Sequence, residues 1–226
     1  GGRLVLGVGT GAYREEYEAL FPDARDVHRG VIVDEGMRAL RRLFTERRVT
    51  FRGRYVHFEE VECFPKPLQS PLPIYAGGNH PEVRRRAGEL GEGWLPAVLS
   101  PEEIARGVED VHRAAEKAGR DGSKIDIAPQ FAVSIGRTHE EALRRFRASQ
   151  LYKHLESLKT TTLRDQTGGW EQRNLIGSPD AISERIRAYQ KAGMRTLAGM
   201  LFVSSTVAEM QEGIELFGRE VLPNFR

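Results

Sequence analysis

Short apolar runs alternate with longer amphipathic stretches along this 226-residue chain, and that alternation limits its possible folds more than any other feature. Residues 3–9 (RLVLGVG) form a compact apolar run ended by glycine, the pattern of a buried parallel strand. Helical spacing follows over 14–20 and again over 28–44, where Val31, Val33, Met37, Leu40, Leu43 and Phe44 fall near one face. Residues 49–58 (VTFRGRYVHF) alternate around Gly53 and predict a small hairpin outside the main sheet. A proline-rich approach, 64–73, leads to a short strand at 74–76 and a helix from Pro81 to about Leu90. Residues 93–95 are another short strand, followed by a helix opened by Ser100 and Pro101 with Glu103 at capping-box spacing. Residues 125–135 are strand-like and 138–157 helical, with Thr138 and Glu141 in capping positions. The stretch 159–174 has no clear period, contains Gly168 and Gly169, and is expected to be a loop or lid. Ser178 and Pro179 open a helix ended by Gly193, before a strand at 195–203 and a last helix at 206–218.

This is βα repeated five times with a hairpin inserted, which predicts a parallel sheet covered by helices. Periodicity leaves open whether the sheet is doubly wound or part of a (β/α)8 barrel. At 39% hydrophobic and 29% charged residues, the chain has material for a core and a well-solvated surface, which excludes a disordered class. Its 34 basic and 32 acidic residues are interleaved, so no nucleic-acid-binding face is expected. The runs Arg41, Arg42, Arg47, Arg48 and Arg84, Arg85, Arg86 could act as phosphate clamps, but are read first as solvated helix faces. A single cysteine, Cys63, cannot form an internal disulfide and fits a cytoplasmic protein. No apolar run approaches the length of a membrane span or a signal peptide.

Three motifs could carry chemistry. Gly7-Val8-Gly9-Thr10-Gly11 ends the first strand, where glycine lets the backbone come close to a ligand or make a tight turn. It fails as a dinucleotide fingerprint, because the third glycine is out of place and no acidic residue ends a second strand. Ala76-Gly77-Gly78-Asn79 precedes a helix opened by His80 and Pro81; free N–H groups at a helix start suit a phosphate, though a simple turn would use the same residues. Trp94, in Gly91-Glu92-Gly93-Trp94-Leu95-Pro96, sits at a strand tip where it could wall an aromatic ring or belong to the core. The six histidines are dispersed without metal-ligand spacing, no GxSxG elbow is present, and Cys63 has no activating neighbour, so neither a metal nor a side-chain nucleophile is expected.

Four segments carry a family resemblance: GGRLVLGVGTGAYREEYEAL, RGVIVDEGMRALRRLFTERRVTFRGRYVHF, PKPLQSPLPIYAGGNHPEVRRRAGELGEGWLP and LIGSPDAISERIRAYQKAGMRTL. Their order and spacing resemble the luciferase-like monooxygenase superfamily, in particular its coenzyme F-420-dependent branch. The resemblance implies an α/β fold, a partial (β/α)8 TIM barrel equivalent to strands four to eight with the hairpin as insertion. It implies one domain over 1–226, truncated before the family's first three βα units and left with open hydrophobic edges. It also implies a homodimer acting on a small-molecule substrate by hydride transfer or monooxygenation, with coenzyme F-420 as cofactor and FMN as the alternative. Carried over by position, Thr10 and Gly11 would meet the cofactor, Ala76, Gly77, Gly78 and Asn79 would hold its phosphate side, and Gly93 and Trp94 would close the pocket. Some deazaflavin-dependent relatives place a glutamate proton donor just after the fourth-strand glycine. Here that position is Ala12, which cannot exchange a proton, so no catalytic residue is assigned. A non-catalytic flavin-binding protein of the same fold is the rival reading.

Overall fold

The expected strands and helices occur in the expected order, with 125–135 divided into two strands, 138–157 into two helices and the 195–203 strand shortened, in a computed structural model that describes residues 1–11, 13–20, 27–158 and 169–225. Ala12 and most of the expected 159–174 lid lie outside the described residues. The chain divides into two compact units, Gly1–Leu95 with Glu109–Asp126, and Pro96–Val108 with Ile127–Arg226.

The first unit holds β1 (Leu6–Val8), α1 (Arg14–Leu20), α2 (Arg29–Thr45), a hairpin of β2 (Val49–Arg52) and β3 (His57–Val61), then β4 (Ile74–Gly77), α3 (Pro81–Leu90) and β5 (Gly93–Leu95). α4 (Pro101–Lys117) and β6 (Asp126–Ile127) follow, each divided between the units. The strands form a sheet in the order β1-β4-β5-β6. β1 is shorter than the apolar run that announces it, because residues 3–5 have no strand partner: Leu4 is tied instead to the side chain of Gln69, and Leu4 and Val5 stay exposed. In β4, Ile74 and Ala76 are fully buried while Tyr75 and Gly77 face a more open side, the alternation that puts one sheet face against helices. The hairpin stands apart as its own two-stranded sheet, clipped to α2 by Glu35, whose carboxylate accepts the N–H groups of Arg54, Tyr55 and Val56 at 2.8–2.9 Å.

Two of the arginine runs are not the solvated faces expected. Arg86 is 4% exposed, because it is ion-paired with Asp34 and donates to the Gly30 carbonyl at 3.0 Å, which fixes α3 against α2. Arg41 reaches from α2 to the Leu90 carbonyl (2.7 Å) and to Glu92 (2.9 Å). Burying a guanidinium is tolerable when carboxylate and carbonyl oxygens replace its water.

The second unit holds β7 (Gln130–Ile135), α5 (His139–Ala148), α6 (Gln150–Leu158), β8 (Leu175–Gly177), α7 (Pro179–Lys191), β9 (Gly199–Phe202) and α8 (Val207–Glu220). Its three strands are parallel in the order β8-β7-β9, and β7 is buried over Phe131–Ile135 as a central strand should be. The single helix expected over 138–157 is broken at Ser149, whose extended backbone ends α5 and whose hydroxyl accepts the Tyr152 N–H at 3.2 Å. β8 was not expected: three residues are too few to show a period, and only pairing with β7 makes them a strand. Tyr189, Phe146, Phe217, Ile182 and Ile186 fill the core between these strands and helices.

Candidate cofactor site

β1, β4 and β5 run parallel, with Val8 opposite Ala76 and Ala76 opposite Trp94, so the segments after all three leave the sheet at one end. Thr10 and Gly11 lie there together with Gly77, Gly78 and Asn79. The two backbones come so close that a Cβ on Gly77 would lie 3.3 Å from the Val8 carbonyl oxygen. Gly78 has φ +127°, a conformation that side-chain-bearing residues rarely adopt, which explains glycine at the centre of the bend.

The hydrogen bonding of the bend differs from the one expected. The Gly78 N–H is donated to the Leu95 carbonyl at 3.0 Å, extending the ladder one residue past β4, so it is not available to an anion. At the start of α3, His80 Nδ1 accepts the Glu82 N–H (3.2 Å), the His80 carbonyl accepts that of Val83 (2.8 Å), and Pro81 has none to give. Trp94 is fully buried and its Nε1–H donates to the Gly78 carbonyl at 2.8 Å, so it braces the bend from the core. Gly93 is also buried: a Cβ there would come within 2.6 Å of the Tyr75 ring, which occupies the space above it. The Tyr75 hydroxyl donates to Asp126 Oδ2 at 2.7 Å. Burial, then that hydrogen bond, holds the phenol well above its ordinary pKa.

Beside the bend is a cavity of about 430 Å³ whose walls include Thr10 and His80. Arg14, Arg29, Arg85 and Arg86 line it; Arg85 is ion-paired with Asp34, Glu82 and Glu89, Arg86 with Asp34 and Arg14 with Glu18. Arg29 Nη1 donates to the carbonyls of Thr10 (3.1 Å) and Gly11 (3.2 Å), fixing the segment after β1. Two helices begin at this cavity: α2, capped by His28 Nδ1 accepting from Val31 N–H at 3.3 Å, and α3, capped by His80. The positive ends of both helix dipoles therefore face the cavity beside Arg29. Of the eight residues proposed from sequence, Thr10 lines the cavity itself; Gly11 is held at its edge by Arg29, Asn79 precedes His80, and Gly93 and Trp94 support the bend from within the unit. Sequence reasoning missed Arg29 and His28, although His28-Arg29-Gly30 at a helix start was a readable signal.

Among the described residues, no cluster of three or more His, Cys, Asp or Glu side chains is placed to hold a metal ion, and no helix is long and apolar enough to cross a membrane.

Comparison with known proteins adds the family. The luciferase-like monooxygenase family matches residues 1–196. An F-420-dependent glucose-6-phosphate dehydrogenase from Nakamurella multipartita is 27% identical over 241 residues, covering 100% of this chain and 69% of its own. An FMNH(2)-dependent dimethylsulfone monooxygenase from Pseudomonas putida is 28% identical over 254 residues, covering 100% and 67%. Among solved structures, the coenzyme F-420-dependent tetrahydromethanopterin reductase from Methanopyrus kandleri superposes with a TM-score of 0.75 at 21% identity, over 100% of this chain and 75% of that one. With its parallel βα units and this match over most of its length, the chain belongs to the luciferase-like monooxygenase family and has that family's α/β fold, a partial (β/α)8 barrel.

Proposed function

We propose that the protein is a flavin- or deazaflavin-dependent oxidoreductase acting on a small organic substrate by hydride transfer or monooxygenation, with coenzyme F-420 as its first cofactor and FMN as the alternative. Family membership and relatives named for F-420 and FMNH(2) support the class. The arginine-lined cavity at Thr10 and His80 is the observation that supports the place. Both cofactors carry a phosphate, and the residues present fit one: Arg29, whose guanidinium donates to backbone carbonyls, stands at two helix starts. In this reading Arg29 holds the anionic side, Thr10, Gly11, Ala76, Gly77, Gly78 and Asn79 shape the approach to it, and Gly93 and Trp94 keep the bend in place.

When bound, the cofactor supplies the hydride chemistry or, as reduced flavin, the reaction with dioxygen. The chain's part is to bind, orient and exclude water. None of the eight proposed residues is an acid or base near neutral pH, which favours a cofactor-centred reaction and equally the second reading, a non-catalytic flavin-binding protein. The lone Cys63 supports a cytoplasmic location, and the family resemblance a single domain over 1–226 and a homodimer.

Titration of the purified protein with F-420 and with FMN, followed by absorbance and fluorescence, tests the proposal. Arg29→Gln should weaken the bound cofactor about 10-fold or more, the loss of a charge-assisted hydrogen bond. If neither cofactor binds, the oxidoreductase reading fails. Unchanged affinity in Arg29→Gln removes the cavity from the site. Reoxidation of reduced cofactor by added substrate separates an enzyme from a binder.

A further inference from the structure

The second unit contains a cavity of about 370 Å³, walled by Phe131 and Ala132 of β7, Leu151 and Leu155 of α6, and Met200 and Leu201 of β9. None of the described residues that line it carries a charge. Two are polar. Asn174 is committed to the fold, with Oδ1 accepting the Ala132 N–H (2.9 Å) and Nδ2 donating to the Trp170 carbonyl (2.7 Å). That leaves the exposed Gln130 amide, beside Gly199, where a Cβ would come within 3.0 Å of Gln130 Cγ.

A separate feature marks the same place. Val98, also in the wall, has φ +56°, a left-handed conformation that β-branched residues rarely take. Its neighbours hold it there: Ala97 bridges to Gln130, and the Leu99 carbonyl accepts the buried Tyr189 hydroxyl at 2.7 Å. Strain of this kind persists only where surrounding structure imposes it, and it concentrates at ligand sites.

We infer that this cavity takes a small, uncharged, largely apolar organic molecule, with the Gln130 amide meeting its one polar group. That the molecule is the substrate rests on the oxidoreductase reading above; that it binds does not. The size is within the ~300–1,000 Å³ range of ligand pockets, and a mostly apolar lining with one placed amide is their usual composition. A phosphate or carboxylate would lose its water here without gaining a counter-charge, which excludes sugar phosphates and fatty acids.

Isothermal titration of the purified protein with 2-octanone, octanoate and glucose 6-phosphate tests this. 2-Octanone should bind, octanoate at least tenfold more weakly, and glucose 6-phosphate not at all. Leu201→Glu, which places a charge on the open wall without disturbing buried packing, should weaken 2-octanone at least tenfold; Met200→Glu serves if that variant does not fold. The inference is overturned if 2-octanone does not bind, as when the cavity is filled by a strand paired to the β9 edge. It is also overturned if octanoate or the sugar phosphate binds as tightly, or if the charged variants bind 2-octanone as well as the parent. Binding of 2-octanone without binding of F-420 or FMN sinks the cofactor reading alone; the reverse result sinks this inference alone.

Discussion

Replacing Trp94 with Phe isolates the brace behind the glycine bend. The parent indole is fully buried and donates Nε1–H to the Gly78 carbonyl at 2.8 Å. Phenylalanine keeps a six-membered ring but has no donor. The lost hydrogen bond is worth about 1 kcal/mol net, and the missing ring atoms correspond to about two methylene groups at ~0.8 kcal/mol each. Unfolding by urea, followed by circular dichroism, should therefore show a loss of roughly 2–3 kcal/mol, inside the range for large-to-small core changes. The share belonging to the bend is the hydrogen bond, because Gly78 at φ +127° is then held by its N–H to Leu95 alone. Losing about 1 kcal/mol of preference for the observed bend lowers its equilibrium constant against other conformations about fivefold, which sets the largest loss of cofactor affinity expected. Fluorescence titration before the unfolding transition reads that change. Reduced stability with affinity unchanged would refute the brace as part of the site. Weakened binding without loss of stability would mean that Trp94 touches the cofactor directly.

Two further substitutions have signs set by the packing. Gly88→Ala, which in an exposed helix would add about 1 kcal/mol, should instead destabilise by about 1–3 kcal/mol, because the new Cβ would meet the Val111 carbonyl at 2.5 Å and Ala114 Cβ at 2.7 Å; a raised thermal midpoint would disprove the close approach of α3 and α4. Glu103 is held below the usual carboxylate pKa, against the opposing effect of burial, by the Arg173 guanidinium at 2.8 Å and the Ser100 N–H. A depressed carboxylate stabilises the fold above its unfolded pKa of about 4.3 and loses that contribution as the pH falls through its folded value. Glu103→Gln keeps the capping geometry, so it should cost about 1 kcal/mol or less at pH 7, given the pair's partial exposure, and the difference from the parent should shrink toward pH 3. An equal difference in urea midpoints at both pH values would contradict the sign.

The βα alternation and its caps were legible in the chain because they depend on neighbours three or four residues apart. Ser100 with Glu103, Thr138 with Glu141 and Ser178 ahead of Pro179 each cap the helix they announce. The glycine bend was legible as a place, at the same sheet end as Thr10 and Gly11. What it does with its amides was not, since the partner of Gly78 N–H is Leu95, seventeen residues on, reached only through the β4–β5 register. Arg86 looked like one of three surface arginines until Asp34, on another helix, was seen to claim it. The two cavities have the same origin: His80 meets His28 and Arg29, and Val98 meets Gln130 and Leu201, across long stretches of sequence that only packing brings together. Local spacing determined which segments are strands and helices and which turns need glycine, because those preferences act over one turn or one pleat. Only the tertiary structure decided which polar groups are spent on the fold and which are left to face a ligand, because that depends on partners brought together by packing.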